Sequence, residues 1–276
     1  MRLLIKIGSA LISRGSRINY RWLAAKVREI AGLARAGERI ALVTSGAVAA
    51  GMEIRGLSQR PRDALELQLL SGMGQIKLMK SYKDLFKRYG IRVAQVLLTH
   101  HNFSTQNEEK TIRQIMEAYL AQGTIPIVNE NDMVNKEEVE AQPVFSDNDI
   151  LAALVAVRLR AECLLILTDV DGLYQANPKH NSHVALVAEV REIDRSIEQM
   201  AAKETNPLGL GGMASKVRAA RMAGEHGIRT IVANGRYRLS DILSDRVPRT
   251  VFHPLGGSPS GGSPQGGGPP GVGPRP

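Results

Sequence analysis

Two lysines stand where an ammonium group could meet a phosphate. Lys6 lies inside the apolar run 3–7, two residues before Gly8 and Ser9. A lysine buried unpaired in a parallel sheet is costly. Near the end of a strand its ammonium can reach the rim, and Gly8 lets the backbone approach an anion closely. Lys216 follows the run Gly209-Leu210-Gly211-Gly212-Met213-Ala214-Ser215, a glycine-rich loop opening into a helix. Helix N-termini offer free N–H groups and the positive end of the helix dipole. The spacing is not that of a Walker A loop, nor a clean dinucleotide fingerprint. Taken singly, the first motif also reads as an edge lysine before a turn, and the second as an ordinary helix cap.

Three further clusters carry polar chemistry. Ser45, Gly46 and Ala47 lead into Val48-Ala49-Ala50-Gly51, small residues opening a helix after a strand. They suit a carboxylate, and they equally suit close packing. Asn129-Glu130-Asn131-Asp132 and Ser146-Asp147-Asn148-Asp149 flank the loop 133–145. Their acids and amides suit an ammonium ion, a metal or an orienting role, and Asp147 also reads as a helix N-cap. Thr168-Asp169-Val170-Asp171-Gly172-Leu173-Tyr174 could cradle a purine and ribose, or be a plain turn. A dedicated protein cage for metal is not expected, because Mg²⁺ usually keeps its waters and rides on phosphates. The six histidines fall outside these clusters.

The elements that must position these groups alternate. Short apolar β-branched runs at 3–7, 39–43, 93–98, 125–128, 164–167 and 230–233 predict parallel strands covered on both faces. Between them, amphipathic patterns predict helices at 20–36, 63–89, 104–122, 147–159, 191–203 and 213–226. Several stop at glycine, as at Gly37, Gly90, Gly123 and Gly227, which suits a left-handed cap. A hairpin-like pair is expected near 183–190. The result is an α/β fold, an open and mainly parallel sheet sandwiched by helices. Ligands bind such sheets beyond the carboxyl ends of the strands, and polar or glycine residues follow five of the six, as Gly8-Ser9, Thr44 to Ala47, Asn129 to Asp132, Thr168 to Gly172 and Asn234-Gly235.

Composition limits the partners. The chain has 276 residues, 43% of them hydrophobic, enough for a full core. No apolar run reaches membrane-spanning length and no cleavable signal pattern is visible, so a cytoplasmic protein is expected. A single cysteine, Cys163, fits a reducing compartment. The net charge of +9 suits nucleic acid or small polyanions, but aromatic content is 4% and the charge is spread along the chain. Nucleic acid is therefore not the expected partner. Of the last 21 residues, 15 are Gly or Pro, which predicts a disordered tail at 256–276.

In their order along the chain, these segments resemble the amino acid kinase family, in its glutamate-phosphorylating branch. The resemblance rests on Lys6-Ile7-Gly8-Ser9, the run 43–51, the run 128–132, Asp147-Asn148-Asp149, the run 167–174 and Gly211 to Lys216. Gly72-Met73-Gly74-Gln75 and Phe252-His253 are similar too. It implies one kinase domain over 1–255, with an acceptor-binding lobe at about 1–160 and a nucleotide-binding lobe at about 161–255. It implies Lys6, Lys216 and Asp149 as the catalytic set, with the lysines on the phosphates and Asp149 orienting them. Ser45, Gly46, Asp132 and Asn148 would bind L-glutamate. Lys6, Gly8, Ser9, Thr168, Asp169, Leu210, Gly211, Gly212, Met213, Ala214, Ser215 and Lys216 would bind ATP, with Mg²⁺ carried by its phosphates. It further implies a homo-oligomer inhibited by proline. Leu210 replaces a usual hydroxyl residue and Ser146 a common glycine. The loop at 136–143 is longer than usual, and the Gly/Pro tail stands where many relatives carry a PUA-type domain.

Overall fold

The computed structural model describes residues 1–134, 147–176, 184–202 and 212–254. Leu210, Gly211, the loop at 136–143 and the Gly/Pro tail lie outside the described residues. Ten strands and nine α-helices are described. In chain order they are β1 (Arg2–Ile7), α1 (Ser9–Ile12), β2 (Ser13–Arg14), β3 (Arg17–Ile18), α2 (Tyr20–Arg35), β4 (Arg39–Val43), α3 (Ala47–Arg55), α4 (Ala64–Lys87), β5 (Arg92–Leu98), α5 (Gln106–Ala121) and β6 (Thr124–Glu130). There follow α6 (Asn148–Arg158), β7 (Cys163–Thr168), β8 (Glu189–Val190), α7 (Arg195–Ala202), α8 (Met213–Gly224), β9 (Arg229–Asn234), α9 (Leu239–Leu243) and β10 (Arg249–Phe252).

Eight strands form one sheet in the order β5-β6-β4-β1-β7-β9-β10-β8. All six strands expected from the sequence are there, and they run parallel. The mixed edge has a different origin from the expected one. The antiparallel strand is β10, which pairs with β9 through Arg249↔Ala233 to Phe252↔Thr230, and β8 lies parallel beyond it. The four residues Arg249–Phe252, three of them β-branched or aromatic, are too short a run to stand out by periodicity. Near the expected hairpin the described residues form an antiparallel bridge, Tyr174↔Leu186.

Alternation along the strands divides the core by sheet face. Leu4, Val43, Val128, Leu164, Ile166 and Val232 point to one side, where α6 and α8 pack. Leu3, Ile5, Leu42, Ile127, Leu165 and Ile231 point to the other, against α2 and α4. Each core therefore spans both ends of the sheet. Gly37, Gly90, Gly123 and Gly227 take left-handed conformations after their helices, as the sequence suggested. Among the described residues no helix is long and apolar enough to cross a membrane.

Candidate active site

At the carboxyl rim, β1 and two helix N-termini converge on one carboxylate. Asp149 is fully buried in the first turn of α6. Lys6, from the end of β1, places Nζ 2.6 Å from Asp149 Oδ1. Lys216, from the first turn of α8, places Nζ 3.1 Å from Asp149 Oδ2. All three side chains are at most 5% exposed. The order of the chain makes this possible. Lys6 lies one residue from the end of the central strand, and both helices start beside that end.

A second tie fixes the two helices. Asp147 caps α6 by accepting from the Asp149 N–H at 3.0 Å. The Ser215 hydroxyl donates to the same Asp147 carboxylate, and Arg218 pairs with it at 3.3 Å. Sequence reading identified Asp147 as a cap, and the structure shows it is also a clamp.

The electrostatics follow from burial. Desolvation lowers the Lys6 pKa below the ordinary lysine value, against the attraction of Asp149. Burial pushes the Asp149 carboxyl upward. The ammonium groups of Lys216 and Lys6 together outweigh it and hold that carboxyl below the usual carboxylate range. Asp149 is therefore ionised in a site from which water is excluded, where charge interactions are strong.

The acceptor residues form a chain of polar contacts next to this group. Asn148 donates from Nδ2 to Ser45 Oγ at 3.0 Å and lies 3.5 Å from Asn129 Oδ1. Asn129 in turn donates to Gln75 Oε1 at 2.8 Å. Two buried atoms of this set, Asn148 Oδ1 and Gln75 Nε2, have no hydrogen-bond partner among the described residues. One is an acceptor and one a donor, and an amino acid needs both. Asp132 is set apart by one helical turn. It accepts from Ser71, four residues before Gln75 on α4, and its backbone carbonyl accepts from Gln68 at 3.1 Å. Burial raises its pKa, while the Ser71 bond and Arg60 act in the other direction.

Asn129 and Gln75 lie in motifs visible in the sequence but carry no assigned role there, and Ser71 lies in none of them. A signal was available. Ser71 and Gln75 are polar residues on the buried face Leu67, Leu70, Gly74 and Leu78 of α4, where the apolar pattern has no use for them.

The small residues after β4 serve packing and placement together. Gly46 is left-handed (φ 100) and opens α3, and a Cβ there would meet Ile12 Cγ2 at 2.6 Å. A Cβ on Gly51 would lie 2.0 Å from the Leu70 carbonyl oxygen. One on Gly74 would lie 1.8 Å from that of Ala47. Helices α3 and α4 therefore touch backbone to backbone, which holds Ser45 beside Asn148.

The residues expected to hold nucleotide divide. The Gly8 N–H donates to Leu167 O at 3.0 Å, so it is used within the sheet rather than offered to a phosphate. Ser9 is exposed and opens the short helix α1. Thr168 donates to Asp169 Oδ1 at 3.1 Å, and Asn234 and Gly235 bind the backbone carbonyls of Asp169 and Thr168. Gly212 caps α8 and Ala214 is exposed beside it. Met213 turns into the core, and Ser215 is committed to Asp147. Both are drawn inward, so their contribution to an anion would come from the helix backbone, with Lys216 as the side chain at the rim.

The chain matches the amino acid kinase family over residues 1–234. It is 40% identical, over 85% of its length, to a glutamate 5-kinase of Aromatoleum aromaticum, of which it spans 62%. It is 38% identical, over 92% of its length, to a glutamate 5-kinase of Clostridium acetobutylicum, of which it spans 94%. Several of the most similar curated relatives are thus longer proteins, of which the chain spans less than two thirds. Among solved structures, carbamate kinase from Giardia lamblia bound to AMP-PNP superposes with a TM-score of 0.64 at 14% identity, covering 91% of this chain and 98% of that one. An isopentenyl phosphate kinase gives 0.61 at 18% identity, covering 91% and 100%. At such identities these two show a shared fold.

Proposed function

The chain belongs to the amino acid kinase family, and on that footing we propose that it moves the γ-phosphate of ATP onto the side-chain carboxylate of L-glutamate. The products are L-glutamyl 5-phosphate and ADP, the first step of proline synthesis. The observation that carries this reading is the buried Asp149 carboxylate holding Lys6 and Lys216 at the junction of two helix N-termini. The names of the relatives supply the acceptor.

A carboxylate nucleophile is already ionised near neutral pH, so attack needs no general base. Catalysis then rests on placing the two reactants in line and neutralising the charge of the transferring group. Lys6 and Lys216 do the second, and Asp149 keeps both side chains pointed at one place. Backbone N–H groups opening α8 add to the same field. Asn148 Oδ1 would accept from the amino group of glutamate, with Ser45, Gly46 and Asp132 setting its α-carbon end.

Among the described residues no three His, Cys, Asp or Glu side chains stand together as a metal cage for Mg²⁺. Asp149 is taken by two lysines, and Asp147 by Ser215 and Arg218. In this reading the ion travels on the nucleotide phosphates, where it neutralises charge.

The same reading includes a homo-oligomer, proline as feedback inhibitor and a cytoplasmic setting. An exposed stripe of Leu65, Leu69, Met73 and Ile76 along one face of α4, beside the edge strand β5, supports association. An acceptor screen tests the activity. ADP release from Mg-ATP is followed with glutamate, aspartate, acetylglutamate and uridine monophosphate, with hydroxylamine trapping any acyl phosphate. Hydroxamate from glutamate is the expected result, and its absence would remove the assignment while leaving the fold intact.

A further inference from the structure

The opposite end of the sheet holds a second concentration of positive charge. There the amino ends of β1, β4 and β7 frame a cleft of about 370 Å³, lined by Met1, Arg2, Gly37, Arg39, Arg160 and Glu162. Lys6 is four residue steps along the strand from Arg2, about 13 Å at roughly 3.3 Å per step. The cleft is therefore distinct from the lysine site.

Its three arginines are placed at a cost. Arg2 and Arg39 are register partners on adjacent strands, and like charges so placed repel. The Arg2 guanidinium is engaged, donating to Leu159 O and lying 3.8 Å from Glu117. Glu162, the carboxylate in the lining, accepts from the Arg2 backbone N–H at 2.8 Å. No ion pair or side-chain hydrogen bond engages the guanidinium of Arg39 or Arg160 among the described residues. Arg160 also has a positive φ of 49° at the turn ending α6. The corresponding turns after α2, α3, α4, α5 and α8 use Gly37, Gly56, Gly90, Gly123 and Gly227. A residue with a Cβ is disfavoured in that conformation.

We infer that this cleft is a binding site for a small multivalent oxyanion, held by the paired guanidinium forks of Arg39 and Arg160. Such forks match phosphate and carboxylate oxygens with two parallel N–H bonds. The lining is charged rather than apolar, so the ligand needs no hydrophobic body. A positive-φ arginine beside a second arginine with no side-chain partner among the described residues, both lining one polar cleft, is a pattern that suits a ligand site.

Calorimetric titration of the full chain with inorganic pyrophosphate, and separately with citrate, tests this at about 0.15 M salt without Mg²⁺. At least one anion should bind, which also tells phosphate from carboxylate recognition. That binding should weaken tenfold or more in Arg39→Gln/Arg160→Gly and stay within about twofold in Lys216→Ala. Failure of both anions to bind overturns the proposal. So does binding by the arginine variant within twofold of wild type, or an equal loss in Lys216→Ala. Arg160→Gly alone separates ligand role from structural role. Without anion its thermal midpoint should equal or exceed that of wild type, and a lower midpoint would show that Arg160 serves the fold.

Discussion

Ser215 donates its hydroxyl to the carboxylate of Asp147, 68 residues earlier in the chain. The bond joins the first turn of α8 to the cap of α6. The residue after Ser215 is Lys216, and two residues after Asp147 is Asp149. One hydrogen bond between helix starts therefore sets the register of the ion pair between them. Ser215→Ala should lower unfolding free energy by about 1–3 kcal/mol, the scale of losing a buried hydrogen bond to a charged group. It should also lower turnover. Ser215→Thr, which keeps the hydroxyl, should restore most of both. Urea unfolding and kcat measured together check this, and an unchanged urea midpoint in Ser215→Ala would show that the bond is incidental.

Lys6→Ala and Lys216→Ala should each reduce kcat by roughly 10²–10³-fold, the scale of removing one donor from a developing anionic charge. Steady-state kinetics at saturating ATP give the answer. Near-normal turnover in either variant would remove that lysine from the phosphate site.

The buried lysine also makes a pH prediction whose two parts have opposite signs. Burial lowers the folded pKa of Lys6 below its ordinary value. Between the two values the unfolded chain binds more protons, so Lys6 makes stability rise as pH rises through that window. Activity should fall over the same window, because a neutral Lys6 no longer offsets phosphate charge. For Asp149 the folded pKa is depressed. Its contribution to stability is present above the unfolded carboxylate value and is lost as pH falls through the folded one. Asp149→Asn removes the attraction that opposes the lowering of Lys6. The alkaline limb of the kcat profile should therefore move to lower pH in that variant, and an unmoved limb would contradict the assignment of Lys6.

Gly74→Ala should be severe for a small change. Its Cβ would lie 1.8 Å from the Ala47 carbonyl oxygen and 2.3 Å from the Gly51 nitrogen, and both are backbone atoms that cannot swing aside. The expected loss is about 1–3 kcal/mol, with a raised KM for the acceptor because Ala47 directly follows Ser45 and Gly46. Gly32→Ala is the contrast. Nothing lies within 4 Å of that Cβ and the site is inside α2, so it should stabilise. Equal effects of the two would mean that α3 and α4 do not meet as closely as described.

Much of this molecule was legible from periodicity and punctuation. The six parallel strands are apolar on both faces, and several of the helices between them end at glycines whose positive φ the structure bears out. Lys6 and Lys216 were legible because each breaks a local rule, a charge in a strand and a lysine after a glycine loop. The relay through Asn129 and Gln75 was harder to read. It depends on which face of α4 meets the end of β6, a tertiary fact that no local pattern encodes. The inward turn of Met213 and Ser215 was hidden for the same reason. A glycine-rich run shows that a helix starts, but not which of its first side chains the core will take. β10 was missed because four residues are too few to show a period.

If glutamate is the acceptor, an oxygen of its side-chain carboxylate becomes the bridging atom of an acyl phosphate. Glutamate carrying ¹⁸O in its side-chain carboxylate, incubated with Mg-ATP and hydroxylamine, tests it most directly. Hydroxylamine attacks the acyl carbon and expels phosphate with the bridging oxygen attached. Mass analysis should find one ¹⁸O in each phosphate formed together with hydroxamate, and that phosphate should form roughly 10²–10³-fold more slowly in Lys216→Ala. Phosphate without label would mean that water, not the glutamate carboxylate, accepts the phosphoryl group, and the account would fail at its centre.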